Sequence, residues 1–204
     1  MPGGGRIYGA AMPHQEIELK WALDEPAWLR LGAELRALLG QPRVLDQRNR
    51  FFDSADLRLR RAGLNIRLRE ENGRVLLTCK RRVGRDGGLH HHEEWESWLD
   101  AAPADVPDPA ALPLPEPIVS ALAGAPLIAT GGFANQRDEF HHGDELLCLD
   151  RTDFGIRIDH ELEIETADPA VTAARWSERL RAWSIPFTPQ PLTKFARLLQ
   201  LAQP

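Results

Sequence analysis

Hydrophobic and polar residues alternate along several separate segments of the chain, which is the pattern of half-buried β-strands. The first of these segments runs from His14 to Leu23. One of its faces is apolar, with Ile17, Leu19 and Trp21. The other face crowds two carboxylates and one ammonium group together, on Glu16, Glu18 and Lys20. The pattern therefore predicts a strand that covers a hydrophobic layer on one side and carries charge on the other.

Further strands follow the same pattern along the rest of the chain. They are predicted in residues 43–53, 64–82, 89–99, 134–142, 145–154 and 160–168. The segment 64–82 contains two alternating runs, and Asn72 and Gly73 between them supply the left-handed conformations that a tight turn needs. That segment is therefore predicted to be a β-hairpin. Residues 83–88, VGRDGG, are expected to form a flexible loop before the next strand.

Helical spacing of apolar residues marks a different set of segments. Residues 24–40 predict an amphipathic helix, with Asp24 as its N-cap and Gly40 as its terminator. Two closing helices are predicted in residues 168–184 and 191–202. Shorter elements are a loop or short helix in residues 54–63 and a helix in residues 115–124, inside a proline-rich packed crossover.

The charged faces of the predicted strands collect groups of both signs. The carboxylates are Glu16, Glu18, Glu94, Glu96, Asp150, Glu161, Glu163 and Glu165. The cations are Lys20, Arg67, Arg69, Lys80, Arg82 and Arg137. Because the helices have apolar stripes of their own, we expect them to cover the apolar side of the sheet and leave the charged side facing inward. The predicted fold is α+β, a sheet closed into a barrel with a polar lumen and with helices outside.

Composition sets the limits of this picture. A chain of 204 residues with 43% hydrophobic and 27% charged residues predicts a globular protein with one core. We expect a flexible segment at residues 1–13, rich in glycine and proline, followed by a single domain at residues 14–204. No apolar run approaches the roughly 20 residues that span a bilayer, and the N-terminus lacks an apolar signal region. The expectation is a cytoplasmic protein that does not bind membranes.

Charge and cysteine content exclude further classes. The net charge of −5 gives no overall attraction for nucleic acid, so an anionic ligand must be held by a local basic cluster. Cys79 and Cys148 are too few for a disulfide framework and lack the spacing of a zinc site. No dedicated metal site is expected at His90, His91 and His92, since neighbours on a strand point to opposite faces. The oligomeric state is open, and a homodimer is one alternative.

The mixed charges of the lumen indicate the chemistry of its ligand. Unpaired buried ions cost several kcal/mol each, so a lumen of this kind is expected to hold something charged. Clustered carboxylates suit a hard divalent cation, and clustered arginine and lysine suit phosphate oxygens. A chain of phosphates bridged to carboxylates by Mg²⁺ satisfies both groups. The alternative is a barrel without ligand, held by internal salt bridges.

Several motifs in order resemble one known family. Residues 16–20, EIELK, match the ExExK signature of the CYTH, or triphosphate tunnel metalloenzyme, superfamily. Other motifs are similar to family segments in the same order: NRFFDSADLRLRRAGLNIRLREENG, LTCKRR, GGLHHHEEWE, LLCLDRTDFG, ELEIE and LTKFARLL. The likeness looks strongest to the catalytic domain of bacterial inorganic triphosphatases. The resemblance implies an eight-stranded antiparallel tunnel.

The resemblance also implies roles for individual residues. Mg²⁺ or Mn²⁺ would be held by Glu16, Glu18, Asp150, Glu161, Glu163 and Glu165. A small-molecule triphosphate would be bound by Lys20, Arg67, Arg69, Lys80, Arg82, Arg137 and Lys194. Catalytic roles would fall to Glu163, Glu165 and Lys20, one of the late glutamates orienting the attacking water. The implied reaction is hydrolysis of inorganic triphosphate to pyrophosphate and phosphate.

Other activities of the same tunnel stay open. A class IV adenylate cyclase would need a purine pocket, and a thiamine triphosphatase would need an aromatic platform for its organic part. A non-enzymatic module that binds polyphosphate or triphosphate is a third alternative, although a pure anion binder has no use for so many carboxylates. The chain departs from its relatives at His92, where they often have arginine, so one phosphate contact there is expected to be weaker or pH-dependent.

Overall fold

The structure is a computed structural model that describes residues 12–101 and 103–201. Its strands are β1 (His14–Leu23), β2 (Arg43–Asp53), β3 (Leu64–Glu71), β4 (Arg74–Asp86), β5 (Leu89–Leu99), β6 (Ile128–His142), β7 (Glu145–Asp153), β8 (Ile158–Glu165) and β9 (Thr188–Pro189). Its α-helices are α1 (Glu25–Leu39), α2 (Arg58–Arg61), α3 (Glu116–Leu122), α4 (Pro169–Ala182) and α5 (Lys194–Leu201). A short 3₁₀ turn spans Pro109–Ala111.

The strands close into an antiparallel barrel. Their order is β5-β4-β3-β2-β6-β7-β8-β1, and pairing of β1 with β5 closes the ring. The two-residue strand β9 adds to β1 outside the ring of eight. The predicted α+β fold, an eight-stranded antiparallel barrel with a charged lumen and helices outside, is confirmed. Closure of the sheet leaves the barrel strands without a free edge.

Two apolar layers on the outside of the barrel hold the helices. On one side α1 and α4 pack on strands β1, β6, β7 and β8, with buried contacts that include Leu31, Leu35, Trp176 and Leu180. On the other side α2 and α3 pack on β2 to β5, with Leu59, Ile118 and Leu122. Each strand offers its alternate apolar residues to these layers, which leaves its polar residues inside.

The helix α5 packs on a smaller aromatic cluster. Leu198 of α5 joins Phe51 of β2 and Phe133 of β6, with Phe195 packed against them. Strands β2 and β6 approach closely beside this cluster, since a Cβ on Gly132 would lie 2.4 Å from the Asn49 carbonyl oxygen. Glycine is therefore required there. The packing holds the first residue of α5, a lysine, against the lumen.

Local signals at two element ends match the sequence expectations. Asp24 caps α1, and its carboxylate accepts a hydrogen bond of 2.8 Å from the Ala27 amide. Asn72 and Gly73 have φ values of 49° and 76° in the β3–β4 turn. Asp24 therefore caps the helix, and Asn72 and Gly73 adopt the left-handed conformations of the turn, as predicted.

Several element boundaries differ from the sequence expectations, among them those of β8, which spans Ile158–Glu165 and not residues 160–168. Residues 83–86 extend β4 instead of forming a loop, and the pairing with β5 shifts register between Arg82 and Gly84. Strand β6 begins at Ile128, earlier than predicted, because its glycines interrupt the alternating pattern while its backbone still pairs with β2. Strand β9 lacked any alternating signal, since it is only two residues long.

The prediction of a flexible N-terminal segment falls mostly on residues 1–11, which lie outside the described ranges. Within residues 12–101 and 103–201, no helix combines the length and the apolar character needed to cross a membrane.

Candidate active site in the barrel lumen

The barrel encloses a charged cavity of about 640 Å³. Strands β1, β3, β4, β5, β6 and β8 and helix α5 all contribute polar side chains to its wall. Its lining includes most of the predicted site residues: Glu16, Glu18, Lys20, Arg67, Arg69, Lys80, Arg82, Arg137, Glu163, Glu165 and Lys194. Asp150 and Glu161 face the same interior but lie behind the lining, fully or almost fully buried. The alternation of each strand therefore brings the predicted groups into one space.

The first carboxylate group on the cavity wall is formed by Glu16, Glu18 and His92, here called the open cluster. All three side chains line the cavity, and one ligand atom from each lies within 4.8 Å of the other two. Glu16 and His92 are direct partners in the β1–β5 pairing, so strand register holds them together. The open cluster is therefore built by the strand contact that closes the barrel.

Cations already contact the carboxylates of the open cluster. Lys80 Nζ lies 2.6 Å from Glu16 Oε2, and Lys20 Nζ lies 2.8 Å from Glu18 Oε2. Burial opposes ionisation of Glu16, but the charges of Lys80 and Lys20 and the side-chain contacts of Lys80 and His92 together hold its pKa well below its usual range. Burial and the neighbouring charge of Glu16 raise the pKa of Glu18. Two carboxylates of one cluster thus have pKa values pushed apart by their surroundings.

The second carboxylate group is formed by Asp150, Glu161 and Glu163, here called the sealed cluster. Its ligand atoms also lie within 4.8 Å of one another. Asp150 pairs with Glu161 across β7 and β8, and Glu163 is two residues further along β8. All three carboxylates are buried. The alternation that places Glu161 and Glu163 on one face therefore also sets them beside Asp150.

Four cations surround the sealed cluster. Arg137 donates to Asp150 at 2.7 and 2.8 Å and to Glu163 at 2.6 Å. Lys194 donates to Asp150 at 2.7 Å and to Glu163 at 2.8 Å, and it also pairs with Glu161. The remaining two cations bind one carboxylate each, Lys20 on Glu163 and Arg197 on Glu161.

This pairing has a clear electrostatic result. Burial alone would raise the pKa of Glu163, but Lys194, Lys20 and Arg137 together hold it well below its usual range. Burial opposes the charge of Lys194, yet the carboxylates around it raise its pKa. The sealed cluster is therefore an ionised, cross-linked network that holds the cations Lys20, Arg137 and Lys194 at the cavity wall.

Two further carboxyls of the lumen, Glu165 and Glu94, have pKa values raised to near or above neutrality. Burial, together with the charge of Glu16, raises the pKa of Glu165 to about 7. Burial raises the pKa of Glu94 to about 8 despite the nearby Lys80. Glu165 forms no ion pair with any residue in the described part of the chain. A carboxyl with a pKa near neutrality that faces the cavity is suited to accept a proton.

Arginines of β3 form the opposite wall of the cavity. Arg67 lies 3.8 Å from Glu94, and Arg69 lies 3.1 Å from Glu71. Burial and the charges of Arg67 and Arg137 lower the pKa of Arg69 to about 10. The crowding of positive charge makes this wall suited to an anion. Arg82 stands apart, because it is exposed at the rim of the cavity.

Several residues of the site were not identified from the sequence. Gln47 and Asn135 are hydrogen bonded to each other at 3.1 Å, and Asn135 also donates to Asp150 at 3.0 Å. Strand β2 has polar residues on both faces, which hid its inward side. Arg197 lies one helical turn after Lys194, and that spacing was the signal that could have identified it. His92 is a different case, because the sequence predicted a weaker or pH-dependent phosphate contact at this position and no dedicated histidine metal site, and the structure places it within the lumen.

The fold and the site together define a class of protein: an antiparallel β-tunnel whose lumen joins clustered carboxylates to clustered cations. A family model described as the CYTH domain matches residues 14–180. The chain belongs to the CYTH family, and the resemblance seen in its motifs is confirmed.

Relatives and solved structures agree with this membership. The chain is 27% identical over 172 residues to the protein of Bacillus subtilis (strain 168) named "Putative triphosphatase YjbK", with 84% of this chain and 87% of that protein covered. A Bacillus halodurans structure, described as "a putative adenylate cyclase (bh2851)", is 25% identical, with a TM-score of 0.69 over 93% of this chain and 98% of that one. The structure of HpAC1 from Hippeastrum, described by its "dominant triphophatase activity", shares the fold with a TM-score of 0.74 and 24% identity, covering 93% and 97% of the two chains.

Proposed function

We propose that the protein hydrolyses inorganic triphosphate to pyrophosphate and phosphate inside the tunnel, with Mg²⁺ or Mn²⁺ as cofactor. The observation that carries the proposal is the convergence of six cations on one cavity that also exposes carboxylates. These cations are Lys20, Arg67, Arg69, Lys80, Arg137 and Lys194. Phosphoryl transfer needs mainly positioning and charge neutralisation, which such a cavity supplies.

Substrate binding would exchange the present ion pairs for new ones. Lys80 and Lys20 now rest on the carboxylates of the open cluster. Phosphate oxygens of the substrate would bind these two ammonium groups and also the arginines of β3. Glu16 and Glu18 would then lose their counter-charges, which would strengthen their binding of a divalent cation. The two exchanges support each other, which explains why a polar lumen keeps both kinds of charge.

The residues of the open cluster fit a divalent metal ion. Glu16 and Glu18 offer carboxylate oxygens at the cavity wall, which are the ligands that Mg²⁺ and Mn²⁺ prefer. When bound, the ion supplies positive charge to the phosphates and polarises the transferred phosphoryl group. In contrast, the sealed cluster already has four cations on its oxygens. We therefore assign Asp150, Glu161 and Glu163 the role of holding the phosphate-binding cations in place.

The water-orienting residue in this proposal is Glu165. Glu163 was the other candidate, but its oxygens accept from Lys20, Arg137 and Lys194. Glu165 faces the cavity and has a pKa raised to about 7 by burial. It can therefore exist as a carboxylate that accepts a proton from the attacking water near neutral pH.

A second candidate function is favoured by the aromatic side chains of the cavity. Phe51, Phe133 and Phe195 line part of its wall, and the rings of Phe51 and Phe195 stack with centroids 4.4 Å apart. Such a wall can contact the organic part of a substrate, as in ATP or thiamine triphosphate. Class IV adenylate cyclase and thiamine triphosphatase activities therefore belong in the test, as does binding without turnover.

The test is phosphate release from inorganic triphosphate, ATP and thiamine triphosphate in parallel, each with Mg²⁺, Mn²⁺ or a chelator. We expect metal-dependent release that is fastest with inorganic triphosphate. Formation of cyclic AMP from ATP would favour the cyclase. Tight triphosphate binding without release from any substrate would make the protein a binding module.

A variant pair connects the activity to the lumen. Lys80→Ala should lower kcat/KM by roughly 100-fold or more, because an ammonium group is lost from the phosphate site. Arg81→Ala is the matched control, since Arg81 is the next residue on β4, half-exposed, and pairs with Glu93 on the outer face. Equal activity of the two variants would contradict the assignment of the lumen as the active site.

A further inference from the structure

The side chain of His92 lies at the open cluster, and its hydrogen bonds do not explain this position. Its side chain is 92% buried. Its Nδ1 atom is also buried and forms no well-aligned hydrogen bond with any residue in the described ranges, and its nearest charged groups are the carboxylates of Glu16 and Glu18. An imidazole nitrogen without a partner in a buried site costs free energy unless a ligand satisfies it. The ring lies stacked near His90, with centroids 6.1 Å apart, so it is held in place.

The unpaired nitrogen points at the two carboxylates of β1. His92 Nδ1 lies 3.4 Å from Glu16 Oε2 and 3.7 Å from Glu18 Oε1. Ligands about 2.1 Å from one ion lie about 3.0 Å apart when adjacent and about 4.2 Å apart when opposite, so both distances suit a shared ion. The register partner of His92 on β1 is Glu16, which keeps this spacing independent of any loop.

We propose that His92 Nδ1 is the third protein ligand, with Glu16 and Glu18, of a divalent cation, and that this nitrogen makes the site prefer Mn²⁺ to Mg²⁺. Mg²⁺ selects oxygen ligands, whereas imidazole favours first-row transition ions. All three side chains line the cavity, so phosphate oxygens and water would also reach an ion held there. The inference rests on the proposed function, because it names the ligands of the same site.

The residue type at position 92 decides whether the side chain can bind a metal ion or a phosphate group. An arginine at this position would add a phosphate contact and could not bind a metal ion. The imidazole of His92 offers a neutral ligand atom there instead. The proposed site would therefore gain metal selectivity and provide one cation fewer for the substrate.

The experiment is Mn²⁺ binding to the purified full chain, measured by electron paramagnetic resonance with a pulsed readout of nitrogen coupling. We expect a hyperfine coupling between Mn²⁺ and one histidine nitrogen. When the protein is made with ¹⁵N-histidine, this ¹⁴N coupling should be replaced by a ¹⁵N coupling. His92→Gln should remove the coupling and weaken Mn²⁺ binding by about 10- to 100-fold. Its Mg²⁺ affinity, measured by competition, should change by less than about threefold.

The matched control is His91→Gln. His91 is the neighbouring residue on β5, and its Nε2 contacts Gln15 Oε1 at 2.6 Å rather than the open cluster. This variant should keep both the coupling and the Mn²⁺ affinity. If His92→Gln does not fold, the ¹⁵N-labelled wild-type protein still decides whether a histidine binds the ion.

The outcomes separate this inference from the proposed function. Mn²⁺ bound without nitrogen coupling, or with coupling that persists in His92→Gln, would overturn the inference even if triphosphate is hydrolysed. Coupling from His92 in a protein that releases phosphate from no substrate would support the inference and contradict the triphosphatase. A wild-type protein that does not bind Mn²⁺ would overturn the ligand assignment.

Discussion

The open and sealed clusters contain similar acidic groups at similar distances, but their surroundings differ. The open cluster lies on the cavity wall, with one lysine near each carboxylate and an unpaired imidazole nitrogen. The sealed cluster lies deeper, and four cations hold its carboxylates ionised. Spacing of ligand atoms alone would make both of them metal sites. The comparison teaches that ligand spacing alone does not distinguish a metal site from a salt-bridge network, because the number of protein cations around the carboxylates also matters.

The largest expected effect is the loss of a cation from the sealed cluster. Arg137→Met should lower the free energy of unfolding by about 3–5 kcal/mol, because Asp150 and Glu163 lose the guanidinium that binds both of them and keep only lysines as charged partners. Chemical denaturation of the metal-free protein would measure it. Arg48→Met is the control, since Arg48 is exposed on β2, and it should change stability by less than about 0.5 kcal/mol. A loss below 1 kcal/mol in Arg137→Met would mean that the cluster is not held by its ion pairs.

Metal affinity should separate the two clusters. Glu18→Gln should weaken Mn²⁺ binding by roughly 100-fold, because it removes a ligand from the open cluster. Glu161→Gln should leave the affinity within about threefold and instead lower stability, because Lys194 and Arg197 lose their shared carboxylate. Isothermal titration calorimetry would measure both affinities. An equal loss of Mn²⁺ affinity in Glu161→Gln would contradict the distinction between the two clusters. The sealed cluster would then be part of the metal site.

The pH dependence of stability should sharpen the contrast between ionised and protonated carboxyls. The pKa of Glu165 is raised from 4.5 to about 7, so the folded state binds more protons than the unfolded state between these values. The free energy of unfolding of the metal-free protein should therefore fall as pH rises from about 5 to about 8, by an amount on the order of 1 kcal/mol. Glu165→Gln should remove part of this slope in denaturation measurements, and Glu94, whose pKa is raised to about 8, should maintain the rest. A control, Glu93→Gln on the outer face, should keep it.

The smallest effect is expected at the rim of the cavity. Arg82→Ala should raise the KM for triphosphate by less than about threefold, since an exposed charge is screened by water. Arg67→Ala, from the buried wall, should raise KM by about tenfold or more, because charge-assisted bonds to phosphate are stronger where water is excluded. Steady-state kinetics would measure both. A larger effect at Arg82 would mean that the phosphates sit nearer the mouth than the buried cations indicate.

Much of this molecule could be predicted from local sequence patterns. The two-residue period of the strands showed which side chains face inward, as in the alternation of Glu161 and Glu163 with apolar neighbours. That period comes from backbone geometry and needs no knowledge of the partner strand. The capping of α1 by Asp24 and the turn at Asn72 and Gly73 were readable for the same reason, since a few neighbouring residues determine them.

The tertiary structure alone decided which inward groups meet. His92 and Glu16 are brought together by the β1–β5 contact that closes the barrel, between strands that are far apart in the chain. Lys194 and Arg197 reach the sealed cluster because α5 packs on aromatic side chains of β2 and β6. Alternation gave both carboxylate groups the same appearance in the sequence. Register and packing then surrounded one of them with four cations and left the other at the cavity wall with one lysine per carboxylate. Charges pair according to their distance in space, which local sequence periods do not determine.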